Sequence, residues 1–256
     1  GIVAALIALV GTLAVAYATF TGGERGATAL QMTATAEAVP ASAMREFGGI
    51  PFVYVPEGNF WIMQTEVTNA MWQQFRDAGG YDQKSFWSDE GWLWRIYSEL
   101  AGPEYANASE FNGPQQPVVG ISWYEAEAYT NWFSNEAERL MHLPDDSQWE
   151  LTCAGPGGYK YPWGNEPVPS TTLLNFDGNV GRAMDVGSYP GGASSYGVLD
   201  MAGNVFEWTE STSVRGGSWA RDDTYVRCTR LITNVPHERS NDLGFRVVHY
   251  ETARDD

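Results

Sequence analysis

The chain has 256 residues, and its 32 acidic residues outnumber its 15 basic ones, which gives a formal net charge of −17. A surface of that sign repels phosphate backbones, so we expect no nucleic-acid partner. Eleven tryptophans, 28 glycines and only 18% charged residues are more typical of a loop-rich domain packed with aromatic side chains than of a helical bundle.

Residues 1–20, GIVAALIALVGTLAVAYATF, carry no charge and start without a methionine or a basic flank. As a helix they would span roughly 30 Å, the thickness of a bilayer core. The segment resembles the N-terminal helix of type IV pilin-like subunits. Ala5 replaces the glutamate that is usual in bacterial pilins, so the resemblance favours an archaeal-type subunit. Small residues such as Gly1, Ala5 and Gly11, in a helix that continues past Phe20, would allow close helix packing.

This interpretation predicts an apolar helix over residues 1–31, a linker over 32–46 that is rich in small residues, and one folded domain over 47–256. The helix would mediate self-association, with the membrane as its partner before assembly. A plain membrane anchor and a processing artefact remain as alternatives.

The folded domain begins with short segments rich in Val, Tyr and Phe, which predict strands. A first helix follows, capped by Thr65 or Thr68, and a second is predicted after Ser122. Asp145 and Gln148 have the spacing of a capping box and predict a third helix. Gly, Pro, Asn and Ser then recur every few residues, which indicates long irregular loops.

Several motifs occur in the order and spacing of the formylglycine-generating-enzyme, or sulfatase-modifying-factor, domain. The resemblance covers roughly residues 50–250 and implies an α+β domain with a C-type-lectin-like fold. The variable proteins of diversity-generating retroelements share this fold and its closing segment. The motifs are PVVGISWYEAEAYTNW, LPDDSQWELTCAGPGGYKYPWGN, YGVLDMAGNVFEWTE, RGGSW and GFRVV.

The same resemblance implies structural calcium. Asn204 and Glu207 stand three residues apart in a glycine-containing turn, and oxygen ligands suit a hard cation. Asn175, the carbonyl of Phe176 and Asp177 match a second site, although the spacing after Asp177 departs from the family pattern. The alternative for Asn204 and Glu207 is that they only satisfy the turn.

The two cysteines also have a family counterpart. Cys153 and Cys228 lie where some members carry paired structural cysteines, so the resemblance implies one disulfide, with two buried free thiols as the alternative. An anchored, acidic domain outside the cytoplasm would lie in a compartment where such a bond persists.

The catalytic thiols of the family are absent. Members that activate oxygen carry two further cysteines just after RGGS, which bind copper, whereas the stretch here reads WARDDTYV. The carboxylates of Asp222 and Asp223 cannot replace soft thiolates for copper(I). His142, His237 and His249 are scattered without the spacing of metal ligands. The sequence therefore predicts a protein that is not an enzyme.

The positions between RGGSW and GFRVV are chemically mixed, and in retroelement variable proteins such positions line the ligand-binding face. We expect Arg221 and Tyr225 to be anchors, because arginine and rigid aromatics dominate interface hot spots. Ordinary solvated loops are the alternative, and whether the surface is diversified stays open. The predicted surface comprises Trp219, Arg221, Asp222, Asp223, Thr224, Tyr225, Arg230, Ile232, Thr233, Asn234, Glu238, Ser240, Asn241 and Asp242.

An insertion after the first helix contains Trp87, Trp92 and Trp94. The cluster could stack on sugar rings, but we expect it to pack the insertion onto the domain. Asn107-Ala108-Ser109 is an acceptor sequence for N-glycosylation.

Together these patterns predict a non-enzymatic, pilin-like or membrane-anchored subunit at the cell surface or outside the cell. Its C-type-lectin-like domain would serve adhesion or the binding of an unknown protein or glycan. The alternatives are an enzyme of the formylglycine-generating family with a displaced active site and a purely structural filament subunit.

Overall fold

The computed structural model describes residues 43–250. The predicted N-terminal helix, with Gly1, Ala5, Gly11 and Phe20, lies outside the described residues. Within residues 43–250, none of the helices has the length and apolarity needed to cross a bilayer.

Residues 43–250 form two small sheets and four α-helices, as the α+β prediction requires. The first sheet has the strand order β1-β2-β3-β9-β4, and all neighbouring strands in it are antiparallel. Its strands are β1 (Met44–Phe47), β2 (Ile50–Val55), β3 (Phe60–Met63), β4 (Met141–His142) and β9 (Val248–Tyr250).

The hairpin of β1 and β2 corrects the predicted start of the folded domain. β1 begins at Met44, within the stretch that we predicted as linker, and Met44 pairs with Val53. Gly48 and Gly49, with φ of 56° and 77°, connect the strands. Positive φ at both central residues is what a type I′ hairpin turn needs, and glycine adopts it without a steric penalty from a Cβ atom. The Gly-Gly pair was therefore a hairpin signal that we did not use.

The second sheet has the order β7-β6-β5-β8 and is formed entirely by the C-terminal part of the described chain. Its strands are β5 (Phe206–Trp208), β6 (Ser213–Arg215), β7 (Leu231–Thr233) and β8 (Leu243–Phe245). β5 and β8 run parallel, with Phe206 opposite Leu243, whereas the other pairs are antiparallel.

The four helices are α1 (Asn69–Asp77), α2 (Asp89–Tyr97), α3 (Trp123–Ala137) and α4 (Asp146–Ala154). The predicted caps are confirmed, because the side chains of Thr68, Ser122 and Asp145 accept hydrogen bonds from the first turns of α1, α3 and α4. α2 lies in the tryptophan-containing insertion and was not predicted. Ser88 caps it by accepting a hydrogen bond from the amide of Gly91.

Aromatic side chains form most of the main core. Trp72 on α1 stacks on Tyr129 of α3 with 5.5 Å between ring centroids, and Phe245 of β8 contacts both rings edge-on. Trp87 is buried and donates a hydrogen bond to the carbonyl of Gly80, while Trp92 and Trp94 are partly buried against the same core. The prediction that the insertion packs onto the domain is therefore confirmed.

Candidate functional site

A cavity of about 340 Å³ lies against the second sheet. Each strand of that sheet contributes one apolar side chain to its lining: Phe206 from β5, Val214 from β6, Ile232 from β7 and Leu243 from β8. The loops that follow β6 and β7 supply the polar lining. Those residues are Arg221, Tyr225, Asn234, Glu238, Ser240 and Asp242.

Asp242 is a buried carboxylate at this cavity. Its Oδ2 accepts a hydrogen bond from the hydroxyl of Ser218 at 2.8 Å, and its Oδ1 accepts one from the hydroxyl of Ser240. The Nε of Arg221 lies 3.8 Å from Oδ2, which is beyond hydrogen-bond distance. Two hydroxyls therefore hold the negative charge in place next to a half-exposed guanidinium.

Two aromatic rings orient the guanidinium of Arg221. Its central carbon lies 5.9 Å from the ring centroid of Phe206 and 5.8 Å from that of Tyr225, within the range of a cation–π contact. The guanidinium of Arg230 lies 5.3 Å from the same tyrosine ring. Tyr225 thus contacts two cations.

The loop that carries Glu238, Ser240 and Asp242 is anchored to the core by Arg239. The guanidinium donates to the carbonyls of Gly120 at 2.8 Å and Gly102 at 2.6 Å, and its Nε lies 3.3 Å from a carboxylate oxygen of Glu125. Burial raises the pKa of Glu125, and the charge of Arg239 opposes that shift. This buried ion pair fixes the loop against α3.

Only half of the residues predicted to form the ligand surface line the cavity. Arg221, Tyr225, Ile232, Asn234, Glu238, Ser240 and Asp242 line the cavity, whereas Trp219, Asp222, Asp223, Thr224, Arg230, Thr233 and Asn241 lie outside its lining. The apolar contributions of Phe206, Val214 and Leu243 were missed. Their signal was weak, since strands of three residues show too little alternation to identify the face that points to a ligand.

The residues of the first predicted calcium site have other partners. Both carboxylate oxygens of Glu207 accept hydrogen bonds from Arg246, at 2.6 and 2.7 Å, and Oε2 also accepts one from the indole of Trp149. The Oδ1 of Asn204 accepts a hydrogen bond from the amide of Met184 at 2.9 Å. With an arginine on the carboxylate, Glu207 does not fit the role of a cation ligand beside Asn204.

The residues of the second predicted calcium site differ in their contacts and exposure. Asn175 is buried and donates to the carbonyl of Arg182 at 2.9 Å, while its Oδ1 has no hydrogen-bond partner within the described range. The Phe176 amide donates to the Oδ1 of Asn179, and Asp177 is exposed. The unpartnered Oδ1 of Asn175 is compatible with a cation ligand, whereas the contacts of Glu207 with Arg246 are not, so calcium stays a prediction.

A group of buried acids was not predicted from the sequence. Glu66 and Asp200 lie near the Glu207–Arg246 pair, so three buried carboxylates share one guanidinium. Burial raises the pKa of Glu66 well above its ordinary value, and the negative charge of Asp200 raises it further. Burial likewise raises the pKa of Asp200. Desolvation and the negative charge of Asp200 thus favour the protonated form of Glu66.

The predicted disulfide between Cys153 and Cys228 is confirmed, with 5.5 Å between the Cα atoms. His142 and His249, which seemed scattered in the sequence, lie on the neighbouring strands β4 and β9. Even so, residues 43–250 contain no group of three or more His, Cys, Asp or Glu side chains that could hold a metal ion. With both thiols in the disulfide, these residues do not fit a copper or iron centre of the kind that activates oxygen.

Residues 29–250 match the family described as Sulfatase-modifying factor enzyme 1-like domain. The chain belongs to this family. Variable protein 1 of Treponema denticola has the same fold, with a TM-score of 0.59 at 18% identity over 83% of this chain and all of that protein. The C-type-lectin-like prediction is therefore confirmed.

Named enzymes are among the relatives. The hercynine oxygenase of Mycolicibacterium thermoresistibile is 38% identical over 165 residues, which are 59% of this chain and 35% of that enzyme. The hercynine oxygenase of Mycobacterium tuberculosis is 32% identical over 227 residues, 73% of this chain and 52% of that enzyme. The chain thus spans between a third and about half of the length of these relatives.

These relatives overturn the predicted function. The expectation of a non-enzymatic pilin-like subunit or adhesin was wrong, because similarity at this level is to sulfatase-modifying-factor-type proteins named as oxygenases. The error has a physical origin. The absence of two thiols from one loop removes one copper site, but it does not exclude oxygen chemistry with another metal centre.

Proposed function

We propose that this chain is the substrate-holding domain of an oxygenase-type enzyme of the sulfatase-modifying-factor family. The observation that carries the proposal is the similarity to hercynine oxygenases at 32–38% identity. The cavity of about 340 Å³ supports it by offering a concave site of the size that small-molecule substrates need.

The lining suits a binding role. Apolar side chains from all four strands of the second sheet would exclude water from one side of a bound molecule, and the polar side chains from the loops would orient it. The anchored loop of Arg239 holds these groups without a large rearrangement, which keeps the entropic cost of binding low.

Oxygen activation requires a redox centre, and residues 43–250 do not fit one. In this proposal the centre would be supplied by a part of the protein outside these residues or by another chain. The contribution of this domain would be to bind and position the substrate. Its own residues would then affect the KM and the alignment of the substrate rather than the binding of the metal.

The test uses the complete native protein, with its metal content measured beforehand. An oxygen electrode would follow oxygen consumption with hercynine, the compound in the names of the relatives, in the presence and absence of a thiol. We expect consumption that depends on hercynine. A metal-loaded protein whose oxygen consumption does not rise above the blank would refute the proposal.

A cavity-filling variant links the activity to this site. Ile232→Trp adds a large ring to the cavity lining and is expected to lower kcat/KM by about tenfold or more, because an overfilled site costs roughly 1–3 kcal/mol. Val235→Trp is the matched control, since Val235 is exposed and lies outside the lining. Equal kcat/KM for the two variants would place the substrate elsewhere.

A further inference from the structure

Three of the arginines around the second sheet use their side chains to bind other groups of the protein. Arg215 donates to Asp146 and Glu150, Arg239 to backbone carbonyls near Glu125, and Arg246 to Glu207. Each of these three guanidiniums is satisfied by the protein itself.

Arg221 is different. Within the described residues its guanidinium makes no hydrogen bond, and the closest ion pair, to Asp242, is 3.8 Å long. Half of the side chain is exposed. Asp242 already accepts hydrogen bonds from two hydroxyls, so its carboxylate is stabilised without a hydrogen bond from the guanidinium. Arg221 therefore brings unused donors to the cavity.

These donors are also held in position. The main chain of Arg221 is fixed at both ends of the residue, because its amide donates to Ser218 at 3.1 Å and its carbonyl accepts from Asp177 at 2.8 Å. The rings of Phe206 and Tyr225 contact the guanidinium. A planar group with several donors, held at the edge of an apolar cavity, matches the two oxygens of a carboxylate.

We propose that this cavity selects small organic monocarboxylates and that Arg221 binds the carboxylate. The inference rests on the proposed function only in taking the cavity as the substrate site. The rest of the ligand would be an aliphatic or aromatic body against Phe206, Val214, Ile232 and Leu243.

The acidic lining restricts the charge of the ligand. Glu238 and Asp242 line the same cavity as Arg221, so a second negative charge on the ligand would face two carboxylates and one guanidinium. Dicarboxylates and phosphate esters are therefore disfavoured relative to monocarboxylates. This selectivity distinguishes the site from a general anion site.

The experiment measures direct binding by titration calorimetry to the full chain at low ionic strength. The probes are 3-phenylpropanoate, its uncharged amide 3-phenylpropanamide, and the dianion benzylmalonate. We expect the monocarboxylate to bind about tenfold or more tightly than the amide, because the amide loses a charge-assisted hydrogen bond. It should also bind more tightly than the dianion, whose second charge faces Glu238 and Asp242.

Two variants assign the effect to Arg221. Arg221→Met should abolish the preference for the carboxylate over the amide, whereas Arg227→Met removes the same charge at an exposed position outside the lining and should keep it. Circular dichroism melting curves verify that both variants fold.

Three results would overturn the inference: no binding of 3-phenylpropanoate at millimolar concentration, an amide that binds as tightly as the acid, or equal affinities for Arg221→Met and Arg227→Met. Failure of the oxygen-consumption assay with carboxylate binding intact would refute the proposed oxygenase function and leave carboxylate selection standing.

Discussion

Arg246 and Glu207 form an ion pair in which neither side chain is exposed, with the arginine Nε 2.6 Å from Oε2 and Nη2 2.7 Å from Oε1. Arg246 also donates to the carbonyls of Met63 and Leu199. The pair therefore connects the second sheet to the end of β3 and to the loop before β5.

Breaking this pair should be costly. Arg246→Met leaves the carboxylate of Glu207 buried without its cation, and we expect the free energy of unfolding in urea to fall by about 3–5 kcal/mol. Arg227→Met, at an exposed position, should change it by less than about 0.5 kcal/mol. The double variant Arg246→Met/Glu207→Gln should recover part of the loss. A single Arg246 variant as stable as its control would contradict this account.

The raised pKa of Glu66 predicts that the free energy of unfolding falls as the pH rises. The unfolded carboxyl ionises near its ordinary pKa of about 4.3, whereas the folded carboxyl keeps its proton to higher pH because its pKa is raised. Between these two pKa values the unfolded state binds fewer protons, so stability declines by up to about 1.4 kcal/mol per pH unit for this group.

Glu66→Gln removes this group while keeping an oxygen for the amide of Asn204. The free energy of unfolding of this variant, relative to that of the unsubstituted protein, should increase as the pH rises above about 4.3. The measurement is urea unfolding at several pH values. Glu136→Gln, on the exposed face of α3, serves as the control. Parallel curves for Glu66→Gln and the unsubstituted protein would show that Glu66 ionises alike in both states.

The disulfide between Cys153 and Cys228 closes a loop over a sequence separation of 75. In the chain-entropy model a loop of that length stabilises by about 4.5 kcal/mol. Reduction should therefore lower the Tm, and Cys153→Ala/Cys228→Ala should have that lower Tm with or without reductant. A Tm of the unsubstituted protein that is unaffected by complete reduction would show that the bond contributes little.

Arg239 should control the order of the loop that carries Glu238, Ser240 and Asp242. Arg239→Met removes two hydrogen bonds to carbonyls and the partner of buried Glu125, which should lower the free energy of unfolding by about 2–3 kcal/mol. Amide hydrogen exchange in the loop should become faster than in Arg182→Met, an exposed control. Unchanged exchange would mean that other contacts hold the loop.

Local signals in the sequence predicted local structure well. Thr68, Ser122 and Asp145 were identifiable as caps because the relevant contacts lie within one helical turn. The disulfide followed from the family resemblance. The Gly48-Gly49 turn was equally local, and its omission placed the predicted start of the domain at the last residue of β1.

Contacts between distant parts of the chain could not be predicted in the same way. Asp200 and Glu207 lie seven residues apart in one motif, but Glu66 and Arg246 come from distant segments. No spacing in the sequence therefore reveals that one arginine lies near all three carboxyl groups. The cavity has the same origin, since Phe206, Val214 and Leu243 meet only when the second sheet forms. The prediction of a non-enzymatic protein failed because it was inferred only from the absence of two cysteines in one loop.

The pairing of β3 with β9 bears on how the chain folds. Ile62 lies opposite Val248, so the central ladder of the first sheet joins residues from opposite ends of the described domain. On a ribosome, β3 must wait for nearly all of the remaining domain to emerge before it meets its partner. We therefore expect slow closure of the sheet and a nascent chain that exposes an unpaired β3 edge to chaperones.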